Sequence, residues 1–265
     1  MSEAQVPGAL EKRLRSQRDA GRKLLVPYIT GGMGEDWLDA VHAVADAGAD
    51  AIEIGIPFSD PMIDGPTIQE ASVRALARGT SPVSILGALA RTEIGVPLAV
   101  MTYYNLVFRA GHRRFADSLV GAGVVGAIVP DLPLEEAGPW IEEADSAGVE
   151  TVLLVAPSTP DERAERICAR SRGFVYGVGL MGVTGERAEL ASTAREVAGR
   201  LRPMTDTPVC IGIGVSTPEQ AADVCGEADG VVVGSALVRR LLDGEGPKGA
   251  AAFVGALRAG IDAGH

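Results

Sequence analysis

The feature of this sequence that most constrains its fold is a regular alternation of short apolar runs with amphipathic stretches. Eight runs have the length and continuity of strands that are buried on both faces, as in a parallel sheet. They begin at Leu24, Ala51, Leu98, Ala127, Thr151, Phe174, Val209 and Gly230. Between the runs, apolar residues such as Trp37, Leu38 and Val41 recur at helical spacing. The alternation predicts strands and helices that take turns along the chain.

Eight strand–helix units in about 240 residues predict an α/β fold, a single eight-stranded parallel (β/α)8 TIM barrel over residues 1–265. An extra N-terminal helix is predicted before the first strand, at residues 8–20, and a final helix at residues 247–263. The alternative is a doubly wound open sheet. It is disfavoured because Gly31-Gly32-Met33-Gly34 does not match the glycine pattern of a dinucleotide-binding turn.

Charge and composition exclude several classes of function. A net charge of -11 disfavours a surface that binds nucleic acid or an anionic membrane. The 3 cysteines show no paired or zinc-binding spacing, which is typical of buried thiols in a reducing compartment. No apolar run reaches the roughly 18 residues of a membrane span, and the first residues lack an apolar signal core. We therefore expect a cytoplasmic protein.

The working residues of such a barrel lie at the C-terminal ends of its strands and in the loops that follow. The histidines stand at positions 42, 112 and 265 and the lysines at 12, 23 and 248, none of them at a predicted strand end. A histidine base, a histidine-rich metal site and a lysine Schiff base are therefore disfavoured. Carboxylates, tyrosines, hydroxyls and backbone N–H groups remain as candidates, and we expect no metal.

Glu53 is the most unusual polar residue of the sequence. It lies between two isoleucines near the C-terminal end of the second predicted strand. A strand that exposes one edge to water would explain it, but both faces of a parallel barrel strand are buried, and an unpaired buried carboxylate is costly. We therefore interpret Glu53 as a functional group whose raised pKa lets it exchange protons near neutral pH.

Residues 55–66, which follow Glu53, form a predicted loop on the same face of the barrel. Three prolines and two glycines make it stiff, and Asp60 and Asp64 are its acids. Asp-Pro and Asp-Gly pairs usually form turns. One aspartate can serve a turn while the other faces substrate, and the spacing does not choose between them.

A phosphate site is predicted after the last two strands. The seventh apolar run ends in Gly212-Ile213-Gly214-Val215, and Ser216 and Glu219 then match a helix capping box. The eighth run ends in Gly234-Ser235 before another helical stretch. Helix N-termini at this place in the barrel bind phosphate, although tight turns alone would also explain the glycines.

Two further features belong to the sixth predicted strand. The loop at residues 182–187 is glycine-rich and polar, which is typical of a mobile lid. Tyr176 lies on the strand itself and either lines the pocket or fills the core. Taken together, the residues indicate a phosphorylated small substrate and acid–base chemistry by Glu and Asp.

From about Leu25 to Leu257 these motifs resemble one family, the alpha subunit of tryptophan synthase. The most specific match is the pair of segments at residues 53–61 and 64–69. Weaker matches are residues 101–105, 130–133, 182–185 and 212–216. The sequence departs from the family at residues 31–34 and 179–181 and at Ile63, before the aspartate of Asp-Gly-Pro. The departures concern lid ordering and partner coupling more than the type of reaction.

The resemblance implies retro-aldol cleavage of indole-3-glycerol phosphate to indole and glyceraldehyde 3-phosphate. It also implies a beta subunit, in an alpha2-beta2 heterotetramer, which condenses indole with serine on its own pyridoxal phosphate. No cofactor is expected in this chain. Two alternatives are a stand-alone lyase that releases free indole and a catalytically weak subunit that activates the beta partner. Another phosphate-binding barrel of the pathway is disfavoured because no lysine lies at a strand end.

The resemblance also implies a role for individual residues. Glu53 would be the proton donor and acceptor, Asp64 would hold the indole N–H, and Tyr176 would lie near the reacting carbon. The phosphate would be bound by Gly185, Gly214, Gly234 and Ser235. The indole pocket would be formed by Tyr28, Met101, Ile128 and Leu154. Thr184 would be the lid residue that meets the aspartate, and the partner interface would include Pro57, Asp60 and Asn105.

Overall fold

A computed structural model describes residues 6–179 and 187–264 of the chain. Eight parallel strands close into a barrel in sequence order, which confirms the predicted fold and excludes the open sheet. The strands are β1 (Leu24–Thr30), β2 (Ile52–Gly55), β3 (Leu98–Met101), β4 (Val124–Ile128), β5 (Glu150–Val155), β6 (Val175–Val178), β7 (Val209–Gly212) and β8 (Gly230–Val233). The closure is made by β1 and β8, which pair in register from Leu24 with Gly230 to Pro27 with Val233.

Helices connect successive strands and cover the outside of the barrel. Those of the described residues are α1 (Ala9–Asp19), α2 (Trp37–Asp46), α3 (Pro66–Ala77), α4 (Pro82–Leu89), α5 (Tyr104–Ala110), α6 (His112–Gly121), α7 (Gly138–Ala147), α8 (Asp161–Arg170), α9 (Arg187–Leu201), α10 (Pro218–Glu227), α11 (Ser235–Leu242) and α12 (Gly246–Ala263). A short 3-10 helix, Arg202–Met204, follows α9. The predicted first and last helices are thereby confirmed. No helix of the described ranges has the length and apolar character that crossing a membrane requires.

The core has two layers because successive strand residues point to opposite faces. In β1, Leu24 and Val26 pack inside the barrel, where they meet Phe174 of the sixth strand region. Leu25 and Ile29 of the same strand point outward and pack against the helices. Both faces of the strands are thus buried, which is why the sequence shows continuous apolar runs rather than an alternation of polar and apolar residues.

Helix α1 closes the N-terminal end of the barrel. Leu10 is fully buried and enters the barrel interior. A side chain at Gly126 or at Gly173 would collide with it, since a Cβ atom there would lie 2.8 or 2.6 Å from Leu10 Cδ2. The Glu150 carboxylate accepts the backbone N–H groups of Leu10 and Glu11 at 2.7 and 3.0 Å, which satisfies donors that the helix leaves unpaired.

The fourth strand starts earlier than the sequence pattern predicted. The apolar run was expected to begin at Ala127, but β4 begins at Val124 and includes Gly126. Glycine normally weakens a strand, and the apolar run read from the sequence starts directly after Gly126. Gly126 is tolerated inside the strand because its missing side chain leaves room for Leu10.

A buried ion network lies at the same end of the barrel. Asp50 is fully buried and accepts the backbone N–H of Leu25 at 2.9 Å. Its carboxylate also pairs with Arg22 at 2.9 Å and with the buried Arg258 of α12 at 3.4 Å. The network ties the start of β1 to the last helix.

Candidate active site

A cavity of about 260 Å³ opens at the C-terminal ends of the strands, where the sequence placed the site. It brings together nine of the predicted site residues: Tyr28, Glu53, Asp64, Met101, Leu154, Tyr176, Gly214, Gly234 and Ser235. Gly212, from the predicted phosphate turn, also lines it, as do residues to which sequence reasoning gave no individual role: Ile63, Gly65, Ile68, Pro130, Val178, Gly179 and Val232. Among the described residues, no cluster of three or more His, Cys, Asp or Glu side chains could hold a metal ion.

Glu53 projects from β2 into this cavity. In the sheet it lies beside Tyr28 of β1 and Ala99 of β3. It is only 1% exposed, and neither carboxyl oxygen has a hydrogen-bond partner among the described residues. Burial raises the pKa of Glu53 to about 8, and the charge of Asp64 adds to the rise. At neutral pH the group is therefore a protonated acid.

Asp64 lies at the end of the loop that follows β2, directly before α3. Its backbone is fixed because its N–H donates to the Pro61 carbonyl at 3.2 Å and its carbonyl accepts Gln69 Nε2 at 2.9 Å. Burial raises the pKa of Asp64 to about 6, and the nearby Tyr103 hydroxyl opposes the rise.

The two carboxyls thus differ in their charge at neutral pH. Because the pKa of Glu53 is about 8 and that of Asp64 about 6, Glu53 carries a proton at pH values where Asp64 is ionised. A pair of acids whose surroundings separate their pKa values is the arrangement that supplies both a general acid and a fixed negative charge.

The tyrosines and apolar side chains form a narrow slot around Glu53. Gly55 leaves the space that the Tyr28 hydroxyl occupies, and Gly212 does the same for Tyr176, whose ring would lie 2.6 Å from a Cβ atom there. Burial raises the pKa of both tyrosines far above the usual range, so both stay protonated. Ile128 does not line the cavity; it is fully buried in the interior layer, and its role in an indole pocket stays a prediction.

Another part of the cavity wall is formed by the turns after β7 and β8. Gly214 has φ of 82°, a conformation that favours glycine, and Gly234 directly precedes the N-terminus of α11 at Ser235. No Lys or Arg side chain of the described residues lines this cavity. An anion here would therefore be held by backbone N–H groups and a hydroxyl, as helix N-termini allow. Thr184 and Gly185, which were also predicted to take part, lie outside the described residues.

The capping box that begins α10 is shifted by one residue from the prediction. Thr217, not Ser216, is the N-cap, and its hydroxyl accepts the N–H of Gln220 at 3.3 Å. The Gln220 side chain in turn accepts the N–H groups of Thr217 and Ser216. Two capping patterns overlap in this sequence, Ser-x-x-Glu from Ser216 and Thr-x-x-Gln from Thr217. The helix uses the second, which places Pro218 at the first helical position.

The residues predicted for a partner interface lie on the mouth side of the barrel. Asp60 is exposed at the tip of its loop and accepts a hydrogen bond from Ser59 Oγ at 2.6 Å. Asn105 is exposed on α5, whereas Pro57 is buried at the base of the loop. Their interface role stays a prediction.

Tyr103 is the functional candidate that sequence reasoning missed. Its hydroxyl accepts the backbone N–H of Ile63 at 3.1 Å, and its ring stacks on Phe58 at 4.9 Å between centroids. It therefore contacts both arms of the loop that carries Asp64. A polar aromatic residue two positions after an apolar strand was visible in the sequence, but its link to the Asp64 loop depends on tertiary structure.

The closed parallel barrel, with two carboxyls of different pKa at its mouth, defines a (β/α)8-barrel enzyme of the acid–base class. A family model described as tryptophan synthase alpha chain matches residues 14–257. The chain belongs to the tryptophan synthase alpha chain family.

Individual relatives support this assignment over nearly the whole chain. The tryptophan synthase alpha chain of Halorhodospira halophila is 47% identical over 249 residues, with 92% of this chain and 89% of the relative covered. That of Streptomyces coelicolor is 45% identical over 238 residues, with 88% of each chain covered. A solved structure of Mycobacterium tuberculosis tryptophan synthase superimposes with a TM-score of 0.89 at 39% identity, covering 97% of this chain and 99% of that one. The Legionella pneumophila alpha subunit gives 0.87 at 31% identity, covering 97% and 100%.

Proposed function

We propose that this chain catalyses the alpha reaction of tryptophan synthase, the retro-aldol cleavage of indole-3-glycerol phosphate to indole and glyceraldehyde 3-phosphate. The observation that carries the proposal is a protonated Glu53, without a hydrogen-bond partner in the described part of the chain, inside an apolar slot that it shares with the more acidic Asp64. Family membership identifies the reaction, and this pair supplies its proton chemistry.

Glu53 would move both protons of the reaction. Its carboxyl proton goes to the ring carbon that bears the glycerol phosphate chain, which converts indole into an indoleninium cation. The Glu53 carboxylate then takes the proton of the adjacent side-chain hydroxyl. The carbon–carbon bond breaks, its electrons return to the ring as neutral indole, and the hydroxyl carbon becomes the aldehyde. A pKa of about 8 suits this exchange because it lies near the operating pH.

Asp64 would stabilise the cation that forms between these two steps. As a carboxylate at neutral pH, it can accept the indole N–H and oppose the positive charge that develops on the ring nitrogen. Its fixed backbone limits the reorganisation that this requires. Tyr176 would pack beside the reacting carbon, and Tyr28, Met101 and Leu154 would enclose the ring.

The rest of the substrate fits the far side of the cavity. The glycerol phosphate would extend toward Gly214, Gly234 and Ser235, where backbone N–H groups and one hydroxyl are available. Gly185 would complete this cradle, and Thr184 would close over Asp64 as part of a lid.

We propose that indole is passed to a beta subunit within an alpha2-beta2 heterotetramer. The Mycobacterium tuberculosis structure that this chain resembles is one of tryptophan synthase, which supports a beta partner. Exposed Asp60 and Asn105, with Pro57 behind them, lie beside the cavity mouth and would form part of that interface. Pyridoxal phosphate would belong to the partner, and this chain would work without cofactor or metal, as a single domain in the cytoplasm.

The test is the release of indole from indole-3-glycerol phosphate by the purified chain, with and without its beta subunit. Glu53→Gln keeps the shape of the side chain and removes the exchangeable carboxyl proton. Glu227→Gln is the matched control, because Glu227 pairs with Arg195 on the surface at 2.8 Å, away from the cavity. Slow release that rises with the partner, is abolished by Glu53→Gln and is unchanged by Glu227→Gln is the expected result.

Other outcomes would assign the chain to the alternatives. Fast release without a partner would favour a stand-alone lyase. Absent release under both conditions, together with activation of the beta subunit, would favour a subunit that is kept for binding.

A further inference from the structure

Tyr103 lies where the loop that carries Asp64 returns to the barrel. It directly precedes α5 and is only 8% exposed. Its ring stacks on Phe58 with an interplanar angle of 21°, and its hydroxyl accepts the N–H of Ile63 at 3.1 Å. The two contacts lie on either side of the exposed Asp60, so one side chain fixes both arms of the loop.

The Tyr103 hydroxyl still has a proton to donate. A phenol oxygen that accepts one hydrogen bond can donate another, and the residue next to Ile63 is Asp64. The Tyr103 hydroxyl lies beside Asp64 in this way and lowers the pKa of that carboxyl against the effect of burial. Burial and the nearby Asp64 charge raise the pKa of Tyr103 to about 12, so the phenol remains a donor at any pH at which the enzyme would work.

The charges around Asp64 explain why such a donor matters. Glu53 of β2, Tyr28 of β1 and Tyr176 of β6 share the cavity with Asp64, and each is an acid. Within residues 6–179 and 187–264, no basic side chain lines that cavity. The neutral Tyr103 hydroxyl therefore stabilises the ionised carboxylate, a role that a cation has in many other carboxylate sites.

We propose that Tyr103 is a positioning residue for the alpha reaction, whose hydroxyl keeps Asp64 ionised and aimed into the cavity. This inference rests on the proposed function, in which ionised Asp64 holds the indole N–H. It adds a residue that acts through Asp64 and does not itself touch the reacting atoms.

The direct test measures the pKa of Asp64 in the Tyr103→Phe variant. The carboxyl is titrated and observed by NMR in protein whose aspartates are labelled with 13C at the side-chain carboxyl. Asp64→Asn identifies the resonance. The substitution keeps the stacked ring and removes the hydroxyl that favours the charged carboxylate, so we expect the pKa of Asp64 to rise by about one. Tyr104→Phe is the matched control, because the Tyr104 hydroxyl pairs with His112 at 3.0 Å, and it should leave Asp64 unchanged.

The second readout is the pH dependence of kcat/KM. If the pKa of Asp64 rises from about 6 to about 7, the ionised fraction at pH 7 falls from about nine tenths to about half. The acid limb of the profile then moves toward the alkaline limb set by Glu53. Activity at pH 7 falls about twofold, and the loss relative to the parent chain becomes smaller near pH 8. A merely structural role would lower the whole profile without moving the acid limb.

An unchanged Asp64 titration in a folded Tyr103→Phe chain would overturn the inference. A uniform loss of activity, with both limbs of the kcat/KM pH profile at their original positions, would also overturn it. The NMR titration does not depend on turnover, so it decides whether Tyr103 controls Asp64 even if the chain releases no indole and the proposed function is wrong.

Discussion

The buried Glu53 predicts that its own contribution to the stability of this protein decreases as pH rises through the neutral range. Its pKa is raised from an ordinary value of 4.5 to about 8 in the folded chain. The folded state therefore holds the Glu53 proton more tightly than the unfolded state, and the contribution of Glu53 to stability is highest below pH 4.5. It falls between 4.5 and 8, as the unfolded chain ionises while the folded chain stays protonated, and is level above 8.

The size of the effect follows from the same two values. Each pKa unit corresponds to about 1.4 kcal/mol, so the full cost above pH 8 is about 5 kcal/mol and the cost at pH 7 is about 3 kcal/mol. Because Glu53 is 1% exposed, solvent screening takes little from this figure. A cost of this size is a large part of the stability of a typical domain.

Glu53→Gln removes the pH-dependent part of this cost because an amide does not ionise. We expect the free energy of unfolding of the variant, relative to the parent chain, to increase by about 3 kcal/mol between about pH 5.5 and about pH 8.5. A difference in the free energy of unfolding that is the same at every pH reflects the burial of the amide and does not test the prediction. Urea unfolding followed by far-ultraviolet circular dichroism at each pH measures the difference, with Glu227→Gln as the surface control. A difference between variant and parent that stays flat or shrinks with rising pH would refute the reasoning.

Three further predictions concern the frame of the barrel, and each is measured by urea unfolding against the parent chain. Leu10→Ala should lower the free energy of unfolding by about 2–5 kcal/mol, because the side chain is fully buried inside the barrel. A loss below about 1 kcal/mol would mean that α1 does not close the N-terminal end of the barrel. Asp50→Ala should cost about 3 kcal/mol, because the buried N–H of Leu25 loses its acceptor and Arg258 keeps only part of its buried partners, and a neutral result would contradict the network. Thr217→Ala should cost about 1 kcal/mol and Ser216→Ala much less, whereas the reverse order would restore the predicted cap.

The barrel itself could be predicted from sequence because its signal is repeated. Eight apolar runs with helical stretches between them give the same information many times, so an error in one run does not change the fold. The predicted start of β4 was wrong because Gly126 is part of the strand. Its missing side chain makes room for Leu10, which lies more than a hundred residues earlier in the chain. A local pattern contains nothing about that contact.

The site could be predicted only in part, for a related reason. Glu53 was found because a charged residue inside a buried strand is conspicuous in the sequence. The choice between Asp60 and Asp64 came from family resemblance, and in the structure Asp64 lines the cavity while Asp60 is exposed. Tyr103 was missed because its hydroxyl reaches the Asp64 loop across 40 residues of chain, a pairing that only the folded barrel creates.

The contact of Leu10 with Gly126 and Gly173 also limits the order in which these positions can change during evolution. Gly173 has φ of 80°, so it is fixed by its backbone as well as by the neighbouring leucine. Gly126 is fixed only by space, since the atoms that a Cβ would meet there are Leu10 Cδ2 at 2.8 Å and Ala99 Cβ at 3.2 Å. A lineage could therefore acquire alanine at 126 after Leu10 had become smaller, but the opposite order would pass through an overpacked intermediate. Helix α1, which lies outside the catalytic machinery, thus determines the order in which substitutions can occur at Leu10 and at Gly126 of β4.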